Sequence, residues 1–426
     1  MPTPPATGHP RGLYVLFFTE LWERYSFYSM SALLTLYMDE VLRFPKATSG
    51  QVYGLYTAGV YFLPLFGGLL ADRVLGFSRA IIIGGVLMMA GHLVLGVERM
   101  PFFIAGLVLL SCGSGFFKPN ISTLVGNLYR DRPQLRDQAF SIFYMGINLG
   151  GFIAPISVSW LRTHYGWSLA FMSAAAGMVI SLAIFTLFKH HVAEAAARVA
   201  PASVDAGTLT PAETRDRVLT LLIVFAISAV FWLAWFQEFY TFAFWARDHT
   251  LTNQPPERFQ SIEPITVVLL SPVAAWLWAY LNVRRREPST PVKMLMGLVF
   301  LAIAFGMLSY AGFTSDAARV SVAWLVAANV LLAIGEIALS PMGMSLVNRL
   351  APPRLRGAMM GGWFASLAIG GYLAGYVGGL WDQLGAARLF GLIAALLLVA
   401  AVPLSFLIPR ITRTIAHAEG QPTAAR

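Results

Sequence analysis

The sequence predicts an all-α membrane protein that crosses the bilayer many times. Hydrophobic residues make up 57% of its 426 residues and charged residues only 12%, against roughly 25% charged in a soluble domain. Apolar segments close to the ~20 residues that span a bilayer recur along the whole chain. The segments lack the alternation of apolar and polar residues that is typical of a membrane β-barrel. A polytopic helical protein is therefore predicted.

The apolar segments form two groups of six, which predicts twelve transmembrane helices arranged as two six-helix bundles. The segments are 13–38, 51–70, 79–97, 102–128, 138–162 and 167–188, then 218–246, 260–282, 292–312, 320–348, 357–380 and 386–409. A polar stretch rich in Ala and Pro separates the groups. The predicted domains are an N-terminal bundle (1–189), a cytoplasmic linker (190–217), a C-terminal bundle (218–410) and a cytoplasmic tail (411–426). A six-plus-six plan with the substrate bound between the halves is a standard transporter architecture.

The net charge of +9 reflects topology rather than nucleic-acid binding. Most of the 30 lysines and arginines fall on loops of one side, and by the positive-inside rule both termini are cytoplasmic. The single cysteine, Cys112, lies in the predicted fourth helix, so no intramolecular disulfide is possible. The first apolar segment is too long for a cleavable signal peptide. We expect a monomer in the cell inner (cytoplasmic) membrane, in contact with lipid.

The stretch "TELWERYSFYSM" (19–30) places Glu20, Glu23 and Arg24 inside the predicted first helix. Each charge costs about 2.5–3.5 kcal/mol at the bilayer centre. At ~100° per residue the three side chains share one helix face. One arginine cannot neutralise two carboxylates, so one glutamate should bind a proton more readily; Lys118, in the predicted fourth helix, supplies a second cation or shares the first. A proton relay is favoured over a static salt bridge, because apolar packing often stabilises a fold as well as a buried ion pair does.

The second half carries its own buried charges, Glu238 in the predicted seventh helix and Glu336 in the tenth. Ionisable groups inside a helical bundle usually face its interior and mark a pathway. An enzyme is disfavoured, because the sequence shows no nucleophile–base pair, metal-ligand cluster or phosphate-binding loop. A receptor or sensor without transport is disfavoured too, because it needs no proton relay. No cofactor is expected beyond the proton as coupling ion.

Several motifs resemble one family. "HPRGLYVLFFTELWERYSFY" resembles the first-helix E-x-x-E-R motif of the proton-dependent oligopeptide transporters, within the major facilitator superfamily. "GGLLADRVLGFSRAI" is similar to the superfamily's loop between helices 2 and 3. "FFKPNISTLVGNLY" and "FSIFYMGINLGGFIAP" resemble the family signatures in helices 4 and 5, while "IGEIALSPMGMSLVNRLAP" and "RGAMMGGWF" resemble helices 10 and 11. These blocks occur in the family's order and at its spacing.

The resemblance implies a major facilitator fold and the inward symport of di- and tripeptides with protons by alternating access. Glu20 and Glu23 would carry the proton, and Arg24 with Lys118 would pair them or take the peptide carboxylate. Glu336 would hold the peptide amino terminus, and Asn148 would bind backbone amides. The remaining implied positions are side-chain pockets at Tyr28, Tyr61, Trp232 and Trp363, and a gating loop at Asp72 and Arg73.

Other interpretations of these residues remain open. Lys118 precedes Pro119, and in this alternative its ammonium group caps the backbone carbonyl groups that the proline kink frees. Asn148 would cross-link two helices, and Glu336 would pair with a neighbouring helix. Aromatic residues in membrane helices mostly pack or anchor the helix at the interface.

The chain also departs from the family pattern. Ser31 stands where the family has an arginine, and Phe236 where helix 7 has a glutamate, so two charges that the family pairs are absent together. Glu238, two residues on, points about 200° away and cannot replace that glutamate in a regular helix. The 190–217 linker is too short for the two extra helices that many bacterial members insert.

Helix 8 reads "SIEP" where the family has S-I-N-P, which puts Glu263 at a substrate-contact position. An ionised glutamate only accepts hydrogen bonds, so we expect a preference for peptides with extra positive charge near the amino terminus. In the alternative, Glu263 pairs with Arg258 or lies in the outer headgroup layer. These departures leave open a proton-coupled carrier for nitrate, an amino acid or a peptide-like compound on the same fold.

Overall fold

The described part of the protein is mostly helical. The structure, a computed structural model, describes residues 8–197, 209–315 and 318–418, so parts of the predicted linker and tail lie outside the described residues. Its α-helices, numbered in chain order, are α1 Arg11–Glu40, α2 Lys46–Phe62, α3 Pro64–Leu70, α4 Phe77–Leu95, α5 Met100–Leu128, α6 Arg136–Tyr165, α7 Trp167–Phe188, α8 Ala193–Ala196, α9 Pro211–Trp235, α10 Thr241–His249, α11 Ile262–Val283, α12 Thr290–Thr314, α13 Ala323–Leu350, α14 Arg356–Gly378, α15 Trp381–Leu384 and α16 Ala386–Ala418. The strands Thr250–Leu251 and Val320–Ser321 pair in parallel.

Within the described residues, ten helical segments are long and apolar enough to cross a membrane. They coincide with ten of the twelve predicted spans. The other two predicted spans form the long helices α1 (30 residues) and α14 (23 residues). The first of these carries Glu20, Glu23 and Arg24, which lower its mean hydropathy. The all-α membrane fold is confirmed, and the count of twelve spans stays a prediction.

Two of the predicted spans are interrupted. The second is divided into α2 and α3 at Leu63, because Pro64 supplies no backbone N–H. A single π-helical turn, Ala71–Leu75, continues α3 and ends at Gly76, whose positive φ of 80° suits glycine. The seventh predicted span ends as α9 at Trp235 and continues as a 3-10 segment, Phe236–Phe239, before α10.

The chain divides into two compact units. Unit 1 comprises Met1–Ser31 and Leu63–Ala200, and unit 2 comprises Ala32–Phe62 and Pro201–Arg426. Unit 2 thus includes α2 and the last part of α1, which the sequence assigns to the N-terminal bundle. The predicted domain boundaries at 189, 217 and 410 stay predictions.

Inside unit 2, α2 and α14 pack with almost no side chains between them. A Cβ at Gly50 would lie 2.2 Å from the carbonyl oxygen of Gly375, and one at Gly375 would lie 2.0 Å from that of Gly50. A Cβ at Gly54 would lie 2.7 Å from the Tyr372 carbonyl oxygen, and one at Gly371 would lie 2.4 Å from the Thr57 methyl carbon. Small residues of this kind let two membrane helices approach backbone to backbone.

Candidate functional site

Unit 1 holds a mixed-charge cluster, which we define as the buried residues Glu20, Glu23 and Arg24 with the half-buried Lys118. The three charged residues of α1 are each no more than 2% exposed. The Arg24 guanidinium binds both carboxylate oxygens of Glu23, with Nη2 2.5 Å from Oε1, and its Nε lies 3.2 Å from Glu20 Oε1. The common helix face that the sequence predicts is therefore present, with the sequence neighbour Glu23 as the closer partner.

Lys118, on α5, completes the cluster. Its ammonium group acts electrostatically on Glu20, Glu23 and Arg24. It also lies 5.9 Å from the centre of the Phe27 ring, and the Arg24 guanidinium lies 4.8 Å from the same ring. Two cations thus stand near two carboxylates. The second oxygen of Glu20, Oε2, has no hydrogen-bond partner among the described residues and can accept a proton.

The backbone of α6 fixes the position of Arg24. A Cβ at Gly150 would lie 2.5 Å from the Leu21 carbonyl oxygen and 2.9 Å from the Arg24 Cβ, so only glycine permits this approach. Two residues earlier on α6, the predicted substrate ligand Asn148 is 4% exposed and donates from Nδ2 to the Tyr144 carbonyl oxygen at 3.0 Å. The Asn148 amide therefore binds the backbone of its own helix in this structure.

The other predicted residues of unit 1 lie in different surroundings. Tyr28 is buried, and its ring meets that of Phe27 edge to face at 5.4 Å. Asp72 and Arg73 lie exposed on the π-helical turn Ala71–Leu75, apart from the mixed-charge cluster. Their place in a gating loop stays a prediction.

Unit 2 brings three predicted pocket aromatics together around Phe236. Tyr61 meets the Phe236 ring edge to face at 5.3 Å, and Trp232 lies 6.2 Å from the same ring. Trp232 in turn meets Trp363 at 6.4 Å. The bulky Trp363 fits because α13 has Gly343 opposite it, where a Cβ would lie 2.0 Å from the indole. The phenylalanine that replaces the family's glutamate is therefore the centre of an aromatic cluster.

The 3-10 segment Phe236–Phe239 frees backbone carbonyl groups that a continuous helix would use. The Tyr53 hydroxyl donates to the Phe236 carbonyl oxygen at 3.0 Å, and the Thr35 hydroxyl donates to that of Phe239 at 2.7 Å. Gln237 donates to the Ala374 carbonyl oxygen of α14 at 3.0 Å. Such bonds make a broken helix tolerable where water is scarce.

The same segment turns Glu238 towards two further acids. We call Glu238, Glu263 and Glu336 the carboxyl cluster; they are 0%, 1% and 8% exposed. Glu263 and Glu336 share a side-chain hydrogen bond, and Glu238 acts electrostatically on Glu263 and is itself acted on by Glu336. Both oxygens of Glu238 and Oε1 of Glu263 lack a hydrogen-bond partner among the described residues.

The sequence alone did not reveal this grouping. A regular helix would point Glu238 away from the position of Phe236, but the 3-10 segment changes the angle between successive residues. Arg258 Nη1 donates to Gln254 Oε1 at 2.6 Å, and Glu263 is buried and interacts with Glu336; the alternative of a Glu263–Arg258 pair stays a prediction. Pro264 lies in the first turn of α11, where a proline is tolerated.

A third group of charges lies just beyond the predicted first span, at the end of α1. Asp39 pairs with Lys46, and its other oxygen lies 2.7 Å from Arg247 Nη1. Partial burial disfavours the ionised form of Asp39, but hydrogen bonds from Lys46 and Arg247 outweigh it and lower the pKa of this carboxyl. Arg247 also reaches Glu40 at 3.3 Å and so ties α10 to the end of α1.

Comparison with known proteins decides the family. The family model described as "PTR2: POT family" matches residues 78–202 and 198–391. The chain belongs to the POT family. The transporter prediction is therefore confirmed over the enzyme alternative, and the protein is an integral membrane protein.

Relatives and solved structures of this family cover almost the whole chain. "Peptide transporter YePEPT" of Yersinia enterocolitica subsp. palearctica is 33% identical over 98% of this chain and 97% of its own. "Dipeptide and tripeptide permease A" of Escherichia coli (strain K12) is 28% identical over 88% of this chain and 85% of its own. A POT family transporter crystallised with a thioalcohol conjugated peptide is 26% identical, with a TM-score of 0.88 over 95% of this chain and 98% of its own.

Proposed function

We propose that this POT family member imports di- and tripeptides across the cytoplasmic membrane together with protons, by alternating access. The observation that carries the proposal is the mixed-charge cluster, in which two carboxylates and Arg24 are buried and Lys118 is half-buried in one unit. Relatives that are named peptide transporters or permeases support the substrate class.

The charge count of the mixed-charge cluster explains how substrate and proton are coupled. Without substrate, Arg24 and Lys118 neutralise Glu20 and Glu23. A peptide carboxylate that binds either cation leaves one glutamate without a counter-charge in a buried site, which is unfavourable. A proton on Glu20, whose Oε2 has no other partner, restores neutrality. Peptide and proton therefore bind together and leave together.

The remaining predicted residues provide the other contacts of a peptide. Glu336 and Glu263 present acids to its amino terminus, and Asn148 offers its side-chain oxygen to a backbone N–H. The aromatic cluster of Tyr61, Trp232, Phe236 and Trp363, with Tyr28 in unit 1, provides apolar surface for side chains.

The test is uptake of labelled Ala-Ala into proteoliposomes, with and without an inward proton gradient. We expect accumulation above the external concentration only with the gradient, and collapse of the accumulation when a protonophore is added. Equilibration that is indifferent to the gradient would overturn the coupling, and absence of any Ala-Ala uptake or binding would overturn the peptide assignment.

A further inference from the structure

A cavity of about 620 Å³ lies between the start of α9 and the end of α16, both of which belong to unit 2. Its polar lining comes from six residues: Glu213, Asp216, Arg217, Arg410, Arg413 and Thr414. Small-molecule sites in proteins usually occupy about 300–1,000 Å³, so the cavity is large enough to hold a ligand. None of the six belongs to the mixed-charge cluster, the aromatic cluster or the carboxyl cluster, and the proposed transport uses none of them.

The cavity lies where the apolar part of each helix stops. No charged residue occurs over 218–237 on α9 and its 3-10 continuation, and none occurs over 389–409 on α16. Arg217 and Arg410 are the first charged residues outside those two stretches. Because about 20 apolar residues span the hydrocarbon core, the cavity lies at the level of the lipid headgroups. The positive-inside rule assigns these ends of α9 and α16 to the cytoplasmic leaflet.

Within the cavity, Asp216 joins the two helices. Its Oδ1 lies 2.5 Å from Arg410 Nη2, and its Oδ2 accepts a hydrogen bond from the Thr414 hydroxyl at 3.2 Å. Both carboxylate oxygens of Asp216 therefore have donors within the protein. Its negative charge is balanced by Arg410, so a ligand does not need to bring a cation for it.

The other charged side chains of the lining leave a surplus of positive charge. Glu213 Oε2 accepts a hydrogen bond from the Thr210 backbone N–H at 2.9 Å, which closes the capping box that begins α9. The Glu213 carboxylate thus serves the start of the helix. Arg217 and Arg413 bring two positive charges beside this one acid. With three arginines and two acids, the whole lining carries a net charge of +1.

Arginine side chains are suited to one class of ligand. A guanidinium group has five N–H donors in a planar fork that matches the paired oxygens of a phosphate or a carboxylate. Arg413 donates from Nε to the Pro409 carbonyl oxygen at 3.2 Å, and this bond uses one of its five donors. An anion with several acceptor oxygens, such as a phosphate ester, would bind the remaining donors and neutralise the surplus charge.

An exposed apolar face of α16 continues from the cavity towards the middle of the bilayer. Phe406, four residues before Arg410, is 79% exposed, and Val399, seven residues before Phe406, is 68% exposed. These spacings keep the three side chains on one helix face. A phosphate group in the cavity would therefore have apolar surface for an acyl chain directly beside it. A soluble phosphate compound would leave that surface unused.

We propose that the cavity between α9 and α16 binds the phosphate headgroup of an acidic phospholipid from the cytoplasmic leaflet. Arg217 and Arg413 bind the phosphate oxygens, and an acyl chain packs along Phe406 and Val399. The bound lipid bridges the start of α9 and the end of α16, and so reinforces the connection that Asp216 makes between them. The site does not depend on which solute the protein transports.

Thermal unfolding of the purified full-length protein in one detergent tests the class of ligand. Phosphatidylglycerol, phosphatidylcholine and glycerol phosphate are added separately. Phosphatidylcholine keeps the phosphate and the chains but has no net charge, and glycerol phosphate keeps the anion without the chains. We expect phosphatidylglycerol alone to raise the unfolding midpoint with increasing concentration, because a ligand that binds the folded state stabilises it.

The other two compounds decide between the sources of the phosphate group. Equal stabilisation by phosphatidylcholine would overturn the requirement for an acidic headgroup. Equal stabilisation by glycerol phosphate would show that a soluble phosphate compound fills the cavity and would overturn the lipid assignment. These comparisons use the wild-type protein, so they decide the proposal even if a variant does not fold.

Arg217→Gln and Arg413→Gln locate the site. Each variant should need roughly fivefold more phosphatidylglycerol for half of the stabilisation, which corresponds to ~1 kcal/mol for one arginine at a membrane surface. Arg413 is exposed, so its replacement should leave the midpoint without lipid unchanged. Arg354→Gln, at an exposed arginine on the 3-10 turn before α14, removes the same charge outside the cavity and should bind phosphatidylglycerol as the wild type does. An equal loss in Arg354→Gln, or no loss in either cavity variant, would mean that acidic lipid is attracted by the overall charge and not by this site.

Discussion

The two groups of buried charges are built in opposite ways. The mixed-charge cluster of unit 1 pairs its acids internally, with Arg24 between Glu20 and Glu23 and with Lys118 nearby. In the carboxyl cluster of unit 2, the charges that act most strongly on Glu238 and Glu263 are other carboxyl groups. A balanced cluster can stay dry and ordered without a ligand, whereas a one-sign cluster depends on protons or on a cation from outside. Under the proposed function, a peptide carboxylate would disturb the charge balance of unit 1, whereas a peptide amino terminus would add a positive charge beside the acids of unit 2.

Removal of one cation from unit 1 should produce the largest effect. Lys118→Ala leaves Glu20 and Glu23 with a single counter-charge, so the balance on which coupling depends is lost. We expect gradient-driven accumulation of Ala-Ala to be abolished, while the purified variant stays folded by thermal unfolding. Lys189→Ala, an exposed lysine just after α7, is the matched control and should accumulate normally. Unchanged accumulation by Lys118→Ala would show that coupling does not use this cation.

The same substitution should change stability in opposite directions in the two clusters. Glu23→Gln breaks the two hydrogen bonds with Arg24 and leaves a buried cation poorly compensated, a loss of about 3–5 kcal/mol. Glu238→Gln removes one of three like groups and should be neutral or stabilising, within about 1 kcal/mol. Thermal unfolding of both variants in one detergent at pH 7 is the measurement. Equal destabilisation of the two variants would mean that Glu238 makes an interaction as stabilising as the one between Glu23 and Arg24.

The partly buried ionic group at Asp39 should show the smallest effect, and its contribution to stability depends on pH. Its pKa is lowered in the folded protein, so its contribution is fully present above the ordinary value of ~3.9 and is lost as the pH falls through and below that value. Because the group is partly solvated, the contribution is on the order of 1 kcal/mol or less.

Asp39→Asn should therefore lower the midpoint of thermal unfolding slightly at pH 7. Between about pH 5 and pH 3, a range that brackets the ordinary pKa, the variant should lose less stability than the wild type as the pH falls. Asp131→Asn, at an exposed aspartate after α5, is the control and should retain the wild-type slope. A steeper acid transition in Asp39→Asn would contradict the assignment.

Helical periodicity and hydropathy were sufficient to predict most of the helices of the fold from the sequence. The predicted span 167–188 is α7, Trp167–Phe188, and the shared face of Glu20, Glu23 and Arg24 follows from the helix geometry alone. Both are local properties of a continuous helix, which a sequence records directly.

The carboxyl cluster depends on an interaction that is not local. No glycine or proline marks the end of α9 at Trp235, and the 3-10 segment after it is held by hydroxyl groups of Thr35 and Tyr53, about 200 residues earlier in the chain. A single sequence does not show which distant side chains will meet a freed carbonyl group. The direction of the Glu238 side chain could therefore not be predicted from the sequence. The only signal was a charged residue within an otherwise apolar stretch.

The glycine contact between α2 and α14 bears on how fast these helices can separate. Helices that interlock large side chains must change rotamers and repack before they part and again when they meet. At Gly50 and Gly375 a backbone carbonyl group of each helix faces the bare Cα of the other, so neither helix has a side chain to withdraw. Separation there breaks only weak backbone contacts. The two helices should therefore separate and reassociate at this contact with a low barrier. A larger residue at either glycine would slow that movement and weaken the packing of α2 on α14.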